Sequence, residues 1–249
     1  MIDKDTLLTY AKLNKLRPWQ QEKHYIESMT LMSLSEYPFV FKGGTYLWFF
    51  HGLDRFSEDL DFTATGDIPE EIDKSVSEML KMFGVENSTR IINNDERSFS
   101  FRLSAKGPLN TSARDLCHVY VEISKRERLL KEPLAFRLNF DAYKIPIKII
   151  GGMDLQEVAS ENVRAIVTRE KARDAYDLFF LIKKKDVKFD ENITSEKLKY
   201  YNLQFSNETF FKALKARKGA WKPELKDLIF EKLPPFDEVE DTIRKWISD

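Results

Sequence analysis

Between Pro38 and Thr63 the order of residues leaves the backbone little choice. Pro38-Phe39-Val40-Phe41 is a short apolar run that stops at Lys42-Gly43-Gly44, and Thr45 to Phe50 continues apolar without strand punctuation, which predicts strand, glycine turn, helix. Ser57 to Thr63 then alternates, with Leu60 and Phe62 on one face and Asp59, Asp61 and Thr63 on the other, as a half-buried strand does. Two aspartates at i and i+2 of a strand project to the same side, about 6 to 7 Å apart.

Such a pair suits divalent cations. Moving a nucleotidyl group from a nucleoside triphosphate needs metal ions that bridge attacking oxygen, phosphate and leaving pyrophosphate, together with donors that hold the triphosphate in line. Mg²⁺, or Mn²⁺ in its place, takes hard oxygen ligands, and the expected separation of Asp59 and Asp61 straddles two ions about 3.5 to 4 Å apart. Gly43 and Gly44 lack a Cβ, so the backbone can approach phosphate closely, and the helix that follows offers unpaired N–H groups at the positive end of its dipole. Thr45 adds a hydroxyl at the same place. Lys42 either adds charge there or points to solvent. Without the aspartates, the glycine pair would read as a plain turn.

Upstream, Thr6–Lys15 and Pro18–Leu34 are predicted helices, the second opened by proline in its first turn. Downstream, Ile68–Phe83 carries an acidic first turn and ends at Gly84, again as a helix. Ser88–Asn93 and Ser98–Ser104 alternate around Asn94-Asp95, which predicts a hairpin. His118–Ile123 repeats the alternation with Val119, Val121 and Ile123 on one face, so Glu122 on the other is either a third metal-binding carboxylate or a solvated residue. Lys144–Ile150 is a further β-rich run closed by Gly151-Gly152, and everything after it reads helical, including Leu155–Val167 and Lys171–Lys183. The fold class expected is α/β (α+β): a catalytic domain over residues 1–150 with a mixed sheet, then a helical domain over 151–249.

The segments Lys42-Gly43-Gly44-Thr45-Tyr46-Leu47 and Arg55-Phe56-Ser57-Glu58-Asp59-Leu60-Asp61-Phe62 together resemble the signature of the AbiEii nucleotidyltransferase family, of the polymerase-beta-like superfamily. A second stretch, Arg169-Glu170-Lys171-Ala172-Arg173-Asp174-Ala175-Tyr176-Asp177-Leu178, is similar to the family's later helical motif. Two matches in order, more than 100 residues apart, are far more specific than a lone Gly-Gly or Asp-x-Asp. The resemblance implies a nucleotidyltransferase that acts as a toxin in a type IV toxin–antitoxin or abortive-infection pair, with a nucleoside triphosphate as substrate and a cognate antitoxin as partner. It also implies roles: Asp59, Asp61 and Glu122 on Mg²⁺, with Glu122 deprotonating the acceptor; Lys42, Gly43, Gly44, Thr45 and Ser57 on the triphosphate; and Lys171, Arg173, Asp174 and Asp177 facing the nucleotide. Asn162 stands where the family pattern often has lysine in E-K-x-x-A, leaving Arg164 or Lys171 to supply that charge. Read without the resemblance, Asp174 and Asp177 lie opposite the apolar set Ala172, Ala175, Leu178, Phe179 and Ile182 and form a solvated helix face.

With 40 Lys and Arg against 41 Asp and Glu, a nucleic-acid surface must come from local clustering. Residues 197–226 supply one: Lys197, Lys199, Lys212, Lys215, Arg217, Lys218, Lys222 and Lys226 against Glu208 and Glu224, interleaved with Tyr200, Tyr201, Phe210, Phe211 and Trp221. That stretch reads either as a surface for an RNA acceptor such as tRNA or as a solvated helical face. The lone Cys117 makes no internal disulfide, and His24, His51 and His118 lack metal-ligand spacing. No run approaches the roughly 18 apolar residues of a membrane span, and no secretion signal opens the chain, so a cytoplasmic protein is expected. Two other classes stand beside the enzyme: a nucleotide-binding or interaction module without turnover, and a DNA-binding regulator of the antitoxin kind, for which the N-terminus shows no winged-helix pattern.

Overall fold

The computed structural model describes residues 1–248 and divides them into two compact units. The first comprises Met1–Tyr46, Glu58–Arg128 and Pro133–Gly152, and the second Leu47–Ser57, Leu129–Glu132 and the chain from Met153 onward. The last crossing between the units falls at 152/153, and two short inserts, 47–57 and 129–132, join the second unit rather than the first.

In the first unit, α1 (Lys4–Leu13) and α2 (Pro18–Leu34) precede β1 (Phe39–Lys42), the first turn of α3 (Gly43–His51, of which Leu47–His51 belong to the second unit), β2 (Asp59–Ala64) and α4 (Ile72–Met82). The strands β3 (Asn87–Asn94), β4 (Ser98–Ala105), β5 (Cys117–Ser124), β6 (Leu134–Leu138) and β7 (Lys148–Gly152) complete it. One seven-stranded mixed sheet results, in the order β3-β4-β5-β2-β1-β7-β6. β2 lies parallel to β5 and β1 to β7; the remaining pairings are antiparallel. The predicted alternation decides which face is covered. Leu60, Phe62, Phe99, Phe101, Leu103, Val119, Val121 and Ile123 are all buried, and α2 packs against β5 and α4. α2 is the central helix of this unit, buried at every position from Gln20 to Leu34 except His24, so even its polar residues lie inside. β6 was not foreseen: it is a short edge strand, mostly exposed, and too weakly alternating to declare itself.

The second unit is helical, as expected: α5 (Leu155–Thr168), α6 (Ala172–Lys185), α7 (Glu191–Lys199), α8 (Asn207–Ala216), α9 (Lys218–Leu225) and α10 (Phe236–Ser248). Its core of Val158, Val163, Ile166, Leu178, Leu181, Phe210, Leu214, Val239 and Ile243 is punctuated by buried charge. The Lys197 ammonium is fully buried between Glu157 (2.6 Å) and Glu161 (2.9 Å). Glu157 also accepts the backbone N–H groups of Leu130 and Lys131, which explains why 129–132 belongs here. The other insert is held by a two-pronged ion pair, Arg55 Nε to Asp177 Oδ1 at 2.6 Å and Arg55 NH2 to Asp177 Oδ2 at 2.5 Å, with both side chains buried. The Tyr176 hydroxyl donates to Asp54, and the Phe56 N–H to the Leu228 carbonyl at 2.8 Å. Burial pushes the Asp177 carboxyl up, and the adjacent Arg55 guanidinium opposes that shift.

Removing one member of such a pair strands the other charge in the interior. Arg55→Ala is therefore expected to lower stability by about 3–5 kcal/mol, and the joint replacement Arg55→Met with Asp177→Leu to restore most of it. Urea unfolding of the three proteins checks this; a single variant as stable as the parent would contradict it.

Candidate active site

Strand register gathers the first set of predicted residues. Lys42 pairs with Asp61, Asp61 with Glu122, and Glu122 with Ser100, so these four stand in one row across β1, β2, β5 and β4. Asp59 pairs with Tyr120 in the adjacent row. Residues in register share a face and sit about 4.5–5.5 Å apart, which puts Asp59, Asp61 and Glu122 on one side of two neighbouring strands. These three supply hard oxygen donors of the kind Mg²⁺ or Mn²⁺ prefers. Among the described residues, no three His, Cys, Asp or Glu side chains are gathered tightly enough to hold an ion.

The glycine pair meets the aspartate strand directly. α3 starts at Gly43, whose φ is +76°, and a Cβ there would lie 2.5 Å from Oδ2 of Asp61. Only a residue without a side chain leaves that carboxylate its place. Thr45, in the first turn of α3, is fully buried, and its hydroxyl has no hydrogen-bond partner among the described residues. Lys42 does not point to solvent: its ammonium is buried and pairs with Glu127 at 2.8 Å.

Two acids that the sequence did not single out complete this environment. One is Glu127, almost wholly buried against Lys42. The other is Glu27 on α2, fully buried, with neither carboxyl oxygen hydrogen-bonded among the described residues. Burial pushes Glu27 well above the ordinary glutamate value; Lys23 opposes this, and Asp59 and Glu58 add to it. The sequence carried no signal for it, since Glu27 is one of two glutamates on a helix that also carries Gln20, Gln21, Lys23, Ser28 and Thr30. Lys23 reaches the His118 carbonyl and lies 3.7 Å from Glu58. A cleft of about 500 Å³ opens here, with Asp59, Lys23, His118, Tyr120 and Trp19 in its walls. A larger cleft of about 870 Å³, between α6 and α10 in the second unit, is lined by none of the predicted site residues.

Ser57, Lys171, Arg173, Asp174 and Asp177 belong to the second unit. Ser57 is buried, and Lys171 caps the start of α6 from an extended backbone. Asp174 receives the Arg169 guanidinium through two hydrogen bonds of 2.7 and 2.8 Å. The solvated-face reading of Asp174 and Asp177 is therefore corrected, because both are buried and ion-paired. Arg164 lies over the Tyr201 ring, 4.8 Å from its centre, and 3.9 Å from Glu161, while the Asn162 amide nitrogen is buried without a partner among the described residues. The basic stretch 197–226 is also corrected in part: Lys197 and Arg217 are buried, the latter on the Ile166 and Arg169 carbonyls. Lys199, Lys215 and Lys218 are paired with Glu196, Glu240 and Asp237.

Residues 30–242 match the family model described as nucleotidyl transferase AbiEii toxin, type IV toxin–antitoxin system. The chain belongs to the AbiEii family. It is accordingly a nucleotidyltransferase of the toxin class, as its two motifs implied. Two solved structures share the AbiEii fold seen here. MenT4, a nucleotidyltransferase toxin from Mycobacterium tuberculosis, superimposes with a TM-score of 0.67 at 20% identity, covering 100% of this chain and 89% of its own. JHP933 from Helicobacter pylori gives 0.64 at 19% identity, covering 92% and 90%. No curated protein matches the chain. No described helix of this AbiEii protein is long and apolar enough to cross a membrane.

Gly52 also has a positive φ, +74°, but nothing lies within 4 Å of where its Cβ would be. Gly52→Ala should lose only the backbone term, about 1–2 kcal/mol, whereas Gly43→Ala should lose more and displace Asp61. Equal losses in paired urea titrations would contradict the collision. For Glu27, a folded-state pKa above the unfolded one means the folded chain binds the extra proton, so stability falls as pH rises above the ordinary glutamate range. Glu27→Gln should thus melt higher than the parent at pH 8 and converge with it near pH 4; a variant that melts lower at pH 8 would refute this.

Proposed function

We propose that this AbiEii nucleotidyltransferase moves a nucleotidyl group from a nucleoside triphosphate onto a hydroxyl of an RNA acceptor, using Mg²⁺ or Mn²⁺, and that it is held in check by a cognate antitoxin. The observation that carries the metal and nucleotide assignments is the shared face of Asp59, Asp61 and Glu122, set against a helix start that Gly43 brings onto Asp61. A divalent cation on the three carboxylates would supply positive charge to the triphosphate and to the attacking oxygen.

The chain's own groups do the rest. Gly43 and Gly44 let the first N–H groups of α3 close on the triphosphate, and the unpartnered Thr45 hydroxyl adds a hydrogen bond. The acceptor oxygen attacks the α-phosphorus, the bond from that phosphorus to the bridging oxygen breaks, and pyrophosphate leaves with the electron pair. Glu122, exposed on the same face, takes the hydroxyl proton. Glu127 pairs with Lys42, the register partner of Asp61, and so offsets part of the charge beside that carboxylate.

Asn162, in the place of the family's lysine, favours the second reading, nucleotide binding without turnover. One assay separates the two. Label transfer from α-³²P nucleoside triphosphates to RNA is expected with the parent protein and should fall by at least about 100-fold in Asp59→Asn and Asp61→Asn, with melting temperatures kept. Transfer unaltered by both substitutions would end the enzymatic assignment of these residues, and nucleotide binding with no transfer by the parent would select the second reading.

A further inference from the structure

The face that carries the three carboxylates continues outward beyond them. From Asp59 the row runs to Tyr120 on β5, Arg102 on β4 and Arg90 on β3, each the register partner of the one before. Arg102 and Arg90 are direct cross-strand neighbours, and like charges in that position destabilise a sheet. Neither makes an ion pair or hydrogen bond among the described residues, and Arg102 Nε is buried without a partner. Folding alone would be better served by an acid at either place, so the pair is set to receive an anion.

Sheet order says which anion. β1 and the start of α3 lie on one flank of β2, and β5, β4 and β3 lie on the other. A triphosphate at Gly43 therefore does not reach the arginines, which are two and three strands beyond Asp59 on the opposite side. That row spans about 14 Å at 4.7–4.9 Å per strand, room for roughly two to four nucleotides of a strand. Tyr120 (43% exposed) and Trp19 (47%) both stand in the wall of the cleft that holds Asp59, offering flat apolar surface for bases. Guanidinium forks for phosphate and aromatic rings for bases fit a polynucleotide better than an acidic peptide. The segment 197–226 competes poorly, since five of its eight cations are buried or paired, leaving Lys212, Lys222 and Lys226.

We propose that the polar face of β5, β4 and β3 is the acceptor track of this nucleotidyltransferase: Tyr120 stacks on a terminal base of a single-stranded polynucleotide end, and Arg102 and Arg90 hold the phosphates behind it. The assignment rests on the nucleotidyl-transfer reading, because it places the strand's end at Asp59.

The test is fluorescence anisotropy with a fluorescein-labelled 12-nucleotide single strand, as RNA and as DNA of the same sequence, with no nucleoside triphosphate present. Arg90→Gln with Arg102→Gln should weaken binding at least about tenfold and reduce the slope of log K against log salt by about 1.4, two phosphate contacts at about 0.7 each on a single strand. Arg90→Lys with Arg102→Lys should keep the slope. Tyr120→Ala should weaken binding about tenfold with the slope unchanged. Melting temperatures of the glutamine variants should not fall, because a repulsive pair has been removed. Tighter binding of RNA would assign recognition to the ribose, and equal binding to the strand alone; both outcomes support the track. An unchanged slope in the arginine-to-glutamine variant overturns it. So does loss of binding in Lys212→Gln with Lys222→Gln and Lys226→Gln instead, parent protein that binds neither strand, or an acidic peptide that binds with the same dependence on both arginines. The melting shift given by Mg²⁺ with each of the four nucleoside triphosphates, measured in parallel, reports the nucleotide site; its absence in the parent is the separate failure of the proposed reaction.

Discussion

The pairing of β1 with β2 and of β2 with β5 is the constraint on which the site depends. A slip of one residue in either pairing would turn every side chain of a strand to the opposite face. It would bury Asp59 and Asp61 where Leu60 and Phe62 now sit. Alternating burial prevents the slip, because the apolar set of β2, β4 and β5 has one covered face to occupy. The collision that any Cβ at Gly43 would have with Asp61 then ties the start of α3 to the same register. The fold thus aligns carboxylates and helix start through main-chain pairing.

Around that frame the chain buries an unusual amount of charge. Lys42 with Glu127, Arg55 with Asp177, Arg169 with Asp174, and Lys197 between Glu157 and Glu161 all have at least one member inside. Interior ion pairs seldom gain much stability over apolar replacements of the same shape. Their effect is to fix which segments meet: Asp177 selects Arg55, and Glu157 selects both Lys197 and the backbone at Leu130 and Lys131. Two short inserts are recruited to the helical unit in this way despite their place in the sequence.

What could be read in advance follows from the range of the determining forces. Strand, glycine turn, helix and aspartate strand between Phe39 and Thr63 are set by local periodicity, and the helix from Pro18 was marked at its start by proline. The hairpin of β3 and β4 was visible in its turn residues. Asp174 and Asp177 were not legible as buried, since a helical wheel assigns them to solvent and cannot know that arginines approach from elsewhere. For Asp177, that arginine lies 122 residues away along the chain. The burial of Lys197 and Arg217 within the run 197–226 was hidden for the same reason: counting cations takes no account of the acids and carbonyls supplied by α5 and the residues after it. Glu27 was hidden because its helix is enclosed on all sides, a condition no sequence window reports.

The sheet order also bears on how such an enzyme diverges. β3 and β4 form a hairpin at one margin of the sheet, joined to the aspartate strand only through β5, so their outward residues can be exchanged with little disturbance to the buried layer beneath. The carboxylate strand has less latitude, being paired on both sides and meeting, at Asp61, the place where a Cβ on Gly43 would lie. Substitutions can therefore accumulate at the margin while the centre stays fixed.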